Sequence, residues 1–328
     1  MRAAGRLRAI GGAVAAVVLF EAILRHVYSG LPAWNPAVGW IYADTEIRHY
    51  IFEGWATSRW DRRGVRVIPG PPPRGPAILA VGNSVTQAAQ IGDEDVYTAL
   101  LQRRMRMPVL NVGHDAQSIA DDVFAARYRL STFPVAWTIV QFIPLDFEEK
   151  PATPDRAHFN RIGNELVVEP GVVHFSRLSP VTRWLRRHSG LVNLGLLRLA
   201  VLRDTPMPPL FHAADPRPAP PPASYGPVEP ELGAVRDAYR GRVTLFLVPD
   251  FLKPPTEMER RFTGWCSSTG TSCVNLRSVF EDFRRRGRAP SGFPNSNFGF
   301  GHLNREGHIA AANLLAAELE RLRARGLF

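Results

Sequence analysis

Five short apolar runs constrain this chain more than any other feature of it. They are residues 77–81 (AILAV), 109–112 (VLNV), 136–142 (AWTIVQF), 243–248 (VTLFLV) and 273–276 (CVNL). Runs this short, apolar at successive rather than alternate positions, suit strands buried on both faces, as in parallel sheets. Segments of helical period stand between them. Val96, Tyr97, Leu100 and Leu101 share one face of a helix expected over 95–105, and a second helix is expected over 118–130. Ile309, Ala312, Ala316, Leu319 and Leu322 share a face of a closing helix over 304–323. Strand and helix in alternation predict an α/β fold, with a central parallel sheet and helices on both sides.

The chain has 328 residues, 45% of them hydrophobic and 21% charged. That is material for a sizeable core, and it excludes a wholly disordered or fibrous chain. The net charge of +10 suggests an anionic partner, but Lys150 and Lys253 are the only lysines among 40 cationic residues. The arginines are scattered, no basic stripe or recognition motif is present, and no nucleic-acid role is expected.

The N-terminus is more informative. Arg2, Arg6 and Arg8 precede an apolar run over 9–20, which Glu21 interrupts and Ala22-Ile23-Leu24 resumes. Basic residues ahead of an apolar core mark a signal peptide or a signal anchor. The apolar span of about 16 residues is short beside the roughly 20 of a membrane helix, and Arg25-His26-Val27-Tyr28 offers no small-x-small cleavage site. We expect an uncleaved, single-pass anchor over 1–28 in a bacterial inner membrane, with the C-terminal body facing the periplasm. A cleaved signal and a buried N-terminal helix are the other readings. Cys266 and Cys273 are the only cysteines and enclose Ser, Thr and Gly. A short-loop disulfide, permitted by export, suits them better than zinc, with two free thiols as the alternative.

Residues 29–76 read as an irregular juxtamembrane segment that ends in a stiff Pro-rich spacer over 69–76. The α/β domain is expected over 77–328, with a long insertion at about 148–239. Within that insertion, 178–202 reads as apolar and helical, while 204–230 holds ten of the 29 prolines and is expected to be mobile.

Ligands of open parallel sheets gather beyond the carboxyl ends of the strands. Those ends carry Gly82-Asn83-Ser84, Gly113-His114-Asp115, Leu145-Asp146 and Asp250, and the last loop brings Asn295, Ser296, Asn297 and His302. An unassisted hydroxyl is a weak nucleophile and needs a base beside it. Ser84 and His302 are the candidate pair. His308 lies six residues beyond His302, without the i, i+4 spacing of paired metal ligands, and reads as a packing or capping residue.

ILAVGNSVTQ (78–87), LNVGHDAQS (110–118), VQFIPLDFEE (140–149) and GHLNREGHIAAANLLAAEL (301–319) resemble, in that order, the four sequence blocks of the SGNH/GDSL hydrolase superfamily. They are most similar to its membrane-anchored bacterial members, the alginate O-acetyltransferase-like proteins. The resemblance implies a flavodoxin-like three-layer sandwich and a serine esterase or O-acyltransferase that acts on an acylated envelope glycan or lipid-linked saccharide. It implies no metal and no organic cofactor. It makes Ser84 the nucleophile, His302 the base, and the backbone N–H groups of Ser84 and Gly113 the oxyanion donors.

The chain departs from the blocks at three positions. Asn83 replaces the usual aspartate, Leu145 the usual asparagine, and Gly299 the aspartate three residues before the histidine. Asp250, Asp146 and Asp115 are the candidate substitutes for that last carboxylate. The alternative reading is a catalytically degenerate SGNH-like domain that binds glycan or a partner in an envelope assembly complex.

Overall fold

Each of the five apolar runs is a strand of a single parallel sheet. The computed structural model describes residues 2–27, 33–49, 53–70, 74–148, 156–162, 165–171, 189–192, 225–296 and 299–328. Helix α1 (Arg2–Val27) opens the chain, followed by two antiparallel pairs. These are β1 (Ala33–Asn35) with β2 (Gly39–Ile41), and β3 (Thr45–His49) with β4 (Ala56–Trp60). Next come β5 (Ala77–Val81), α2 (Ser84–Gln87), α3 (Tyr97–Met105), β6 (Val109–Asn111), α4 (Ile119–Thr132) and β7 (Val135–Phe142). The insertion contains the hairpin β8 (His158–Ile162) and β9 (Glu165–Glu169). Last are α5 (Val228–Ala238), β10 (Val243–Leu247), α6 (Glu257–Thr269), β11 (Ser272–Asn275), α7 (Arg277–Arg285) and α8 (Arg305–Ala324). The sheet order is β11-β10-β7-β5-β6, and every neighbouring pair is parallel.

Successive strand residues serve opposite faces. Ile78, Ala80, Ile139 and Phe246 pack with Tyr97 and Leu101 of α3, Phe280 of α7 and Leu315 of α8. Leu79, Val81, Val140 and Leu245 pack with Ile119 of α4, Val235 of α5 and Phe262 of α6. The result is the expected three-layer sandwich. Each fully buried aliphatic side chain of this size contributes about 1.5–3 kcal/mol.

Local sequence sets the helix ends. Ser118 and Asp121 form a capping box at the start of α4, and Thr256 and Glu259 form one at the start of α6. Gly270, at φ 65°, ends α6. The expected disulfide is present between Cys266 and Cys273 and joins α6 to β11. The turn it spans is shorter than its composition suggests, because Ser267, Ser268 and Thr269 remain helical.

The chain divides into two compact units. One is Pro32–His174 with Ser224–Phe328, so residues 33–70, read from sequence as irregular, belong with the sheet. The other is Met1–Leu31 with Phe175–Ala223. In the latter, α1 exposes Ile10, Val14, Val17, Val18, Leu19 and Phe20. The Glu21 carboxylate accepts hydrogen bonds from Ser189 Oγ and from the N–H groups of Gly190 and Leu191. Among the described residues no helix is long and apolar enough to cross a membrane. The expected span at 1–28 is therefore observed as a helix only. The expectations for 178–188, 193–202 and 204–224 lie outside the described residues, as do 71–73 of the spacer.

Candidate active site

The turn after β5 is shaped by close approach. Gly82 has φ 144°, and a Cβ there would stand 2.8 Å from Gln141 Oε1 and 2.9 Å from the Gln141 carbonyl oxygen of the neighbouring β7. Glycine is what lets the chain pass. Asn83 then caps α2, its Oδ1 accepting from the Val85 N–H at 3.0 Å while its Nδ2 donates to Asp146 Oδ2 at 2.8 Å. This accounts for the asparagine, since an aspartate at 83 would set two carboxylates face to face. Ser84 is the first residue of the one-turn α2, so its N–H has no intrahelical acceptor. Its side chain is half-buried, and its Oγ makes no hydrogen bond with a described residue.

His302 is held from a direction the sequence did not suggest. Its Nδ1 lies 2.5 Å from Glu53 Oε2, and its backbone N–H donates to Glu53 Oε1 at 2.6 Å. Glu53 belongs to the connection between β3 and β4, 249 residues upstream. The two glycines beside His302 explain the arrangement. Gly301 has φ 89°, and a Cβ there would stand 2.3 Å from Glu53 Oε1. Gly299 has φ 82°, and a Cβ there would stand 3.0 Å from Leu252 Cδ2 and 3.1 Å from Phe251 Cδ1, so the usual aspartate would be strained in its backbone and would have to displace two apolar side chains. A carboxylate on Nδ1 fixes the proton on that nitrogen and leaves Nε2 as the proton acceptor.

Three connections hold the Ser84 turn and the His302 loop at one end of the sheet. Gly54 N–H donates to Asn295 Oδ1 at 2.9 Å, and Asn295 Nδ2 returns a bond to the Gly54 carbonyl at 3.0 Å. Ser58 Oγ donates to the Ala89 carbonyl, just beyond α2, at 3.1 Å. Tyr97 shares a hydrogen bond with Thr86 through its hydroxyl and donates its N–H to His308 Nδ1. Ser84 and His302 make no direct hydrogen bond.

The three carboxylates proposed to orient His302 are placed elsewhere. Asp146 accepts from Asn83 and from the Ile143 N–H. Asp250 accepts from the Leu252 N–H and pairs with Lys253 within its own loop. Asp115 is exposed, and its carbonyl faces His114 Nδ1. The carboxylate beside His302 Nδ1 is instead that of Glu53, and no spacing rule connects it to the histidine.

Gly113 lies against the Ser84 turn, where a Cβ would stand 2.6 Å from the Gln87 nitrogen. Its N–H, expected at the oxyanion, is already donated to Asn111 Oδ1 at 3.0 Å. Leu145 is 49% exposed and offers no donor. His308 packs as expected, fully buried and stacked on Tyr97, and burial pushes its pKa down to about 3. Burial also lowers the pKa of His114, which stacks on Tyr42. Among the described residues no group of three His, Cys, Asp or Glu side chains is placed to hold a metal ion. Two surface depressions, of about 400 Å³ beside the disulfide and about 660 Å³ beside α7, are lined by neither Ser84 nor His302.

No family model and no curated protein matches the chain. Solved structures are similar to it at low identity. A two-domain esterase active on acetylated mannans, co-crystallised with mannopentaose, is 11% identical over 76% of this chain and 50% of its own, with a TM-score of 0.40. A lipolytic protein of the G-D-S-L family from Veillonella parvula is 8% identical over 76% of this chain and 100% of its own, also at 0.40. A variant of Axe2, an acetyl xylan esterase from Geobacillus stearothermophilus, is 13% identical over 76% and 96%, at 0.38.

Proposed function

We propose that this protein is an SGNH-type serine esterase or O-acyltransferase acting on an acylated envelope glycan or lipid-linked saccharide. The observation that carries the reading is the Glu53–His302 pair. A decayed site has no reason to keep a carboxylate on Nδ1, with a glycine beside it to make the space. Ser84 Oγ attacks the ester carbonyl while His302 Nε2 takes its proton. The tetrahedral oxyanion forms at the Ser84 N–H, collapse expels the alcohol, and the alcohol recovers the proton from His302. Water or a sugar hydroxyl then attacks the acyl-Ser84 ester, with His302 again as base, and gives the free acid or the transferred ester. Glu53 stabilises the imidazolium in both halves.

The oxyanion side is thinly furnished. With Leu145 unable to donate and the Gly113 N–H turned to Asn111, turnover on aryl acetates is expected to be slow. A missing oxyanion donor typically costs about a hundredfold to a thousandfold. Leu145→Asn is expected to leave the rate unchanged or raise it.

The substrate class rests on the sequence blocks and on the basic-then-apolar N-terminus, read as an inner-membrane anchor with the body in the periplasm although α1 is not by itself long and apolar enough to cross a membrane. A phosphatase reporter fused after Phe328 and active outside the cytoplasm supports that topology; a reporter active only in the cytoplasm refutes it. The reaction is tested with a fluorophosphonate probe. Wild-type protein is expected to be labelled at Ser84 and Ser84→Ala to be unlabelled and inactive. Folded wild-type protein that resists the probe would favour the glycan- or partner-binding alternative.

A further inference from the structure

The segment between α1 and the sheet makes more contacts with the catalytic turn than a spacer needs. Arg66 is its centre. The side chain is fully buried, and each of its five N–H donors has an acceptor. Nε donates to Asp93 Oδ1 at 2.8 Å, and Nη1 to the carbonyls of Gln87 and Ala88 at 2.6 and 2.8 Å. Nη2 donates to Ser58 Oγ at 3.2 Å and to the Ile91 carbonyl at 2.5 Å. Three of these acceptors are backbone carbonyls at or just beyond the C-terminal end of α2, the turn whose first residue is Ser84.

A helix of four residues cannot satisfy its own last carbonyls or hold its own direction. Asn111 Nδ2 takes the Thr86 carbonyl at 2.7 Å, and Arg66 takes the next two. The positive guanidinium also sits where the C-terminal end of the turn is negative. Its main chain is fixed as well, since the Arg66 N–H donates to the Asn111 carbonyl at 2.8 Å. At the other end of the same segment, the reciprocal Gly54–Asn295 bonds hold the residue next to Glu53 against the His302 loop.

We propose that residues 53–66 form a strap that completes the catalytic centre, with Arg66 fixing the Ser84 turn and the Asn295–Gly54 clasp keeping Glu53 on His302. The proposal rests on the serine-nucleophile reading above. Arg66 and Asn295 are positioning residues on this view, since each acts on a catalytic group through another. Loss of either misaligns the serine or the base without touching the bound substrate, so kcat falls while KM holds.

The test uses the full chain, fluorophosphonate labelling of Ser84 and turnover of an aryl acetate. Arg66→Lys keeps the charge but offers a single ammonium in place of the fork, and is expected to slow labelling at least tenfold at unchanged KM. Because Arg66→Lys risks misfolding, the half-exposed Asn295 supplies a second route. Asn295→Ala is expected to lower kcat about tenfold in wild-type protein and to have no further effect in a Glu53→Gln background. Equal losses in the two backgrounds, or a folded Arg66→Lys protein that labels at the wild-type rate, overturn the strap. An unlabelled wild-type protein overturns the nucleophile reading and the strap with it.

Discussion

Replacing Glu53 by glutamine removes one charge and reverses one hydrogen bond. Glu53 accepts twice from His302, from the ring at Oε2 and from the backbone at Oε1. Glutamine has one acceptor oxygen and one amino group, so one of the two contacts must become donor against donor or the ring must change tautomer. If the amino group faces Nδ1, the proton moves to Nε2, the nitrogen that has to take the serine proton. Replacement of the orienting carboxylate in a well-buried serine triad costs about ten-thousandfold in kcat. Here the side chains of His302 and Glu53 are 25% and 18% exposed, and water substitutes for part of the lost interaction. The expected loss is about a hundredfold to a thousandfold in kcat, or about 2.7–4 kcal/mol at 1.36 kcal/mol per tenfold. Turnover of an aryl acetate measures it, with fluorophosphonate labelling as an independent readout of Ser84 reactivity. Glu53→Asp restores the charge one methylene short and should recover part of the rate. A folded Glu53→Gln protein with wild-type kcat would falsify the assignment of Glu53.

Gly301→Ala places a methyl where Glu53 Oε1 now lies and strains a backbone at φ 89°; its kcat is expected to fall as far as that of Glu53→Gln, and a near-normal rate refutes the steric argument. Converting both Cys266 and Cys273 to serine is expected to cost about 2.4 kcal/mol, the chain-entropy value for so short a loop, read as a lower denaturation midpoint; no change in midpoint refutes it. His308 is held neutral by burial, with a pKa near about 3. The folded state thus binds fewer protons than the unfolded state between roughly pH 3 and 6.5. Stability is expected to be full above pH 6.5 and to fall on acidification by up to about 1.4 kcal/mol per pH unit. His308→Gln should flatten that limb in urea titrations, and an unaltered limb counts against it. Glu231 works in the opposite sense: burial, with Asp146 nearby, raises its pKa to about 8. Its contribution is complete below about pH 4.5 and lost towards pH 8, so Glu231→Gln is expected to raise stability above pH 8, and an unchanged midpoint there refutes the assignment.

The sheet was legible because a strand buried on both faces is apolar at nearly every position: 77–81 is so throughout, and 243–247 departs only at Thr244, whose hydroxyl accepts from Trp137 Nε1. Helix α3 starts two residues later than its periodicity suggests, because Val96 is extended and serves as its cap. Helix α6 was readable in retrospect from Met258, Phe262 and Cys266 at i, i+4 spacing, with Thr256 and Glu259 as its capping box. The candidate site divides the same way. Ser84 and His302 were found because local blocks surround them, and the disulfide because its partners are close in sequence. Glu53 and Arg66 were missed because their work depends on tertiary contact alone. Residues 33–70 show no long period, since β1 to β4 are strands of three to five residues. The one local trace of Glu53 is negative. Gly301 leaves empty the space that it fills.

The separation between Glu53 and His302 also bears on when the protein becomes reactive. Closing a free loop of 249 residues costs about 5 kcal/mol by the (3/2)RT ln n rule, before any constant term. One hydrogen-bonded pair at a partly exposed site does not repay that, so the pair closes only after the sheet has shortened the effective distance. His302 is also synthesised 249 residues after Glu53. On the proposed serine-nucleophile reading, a chain in which residues 53 and 302 have not yet met holds Ser84 without an oriented base, and its reactivity waits on that tertiary contact.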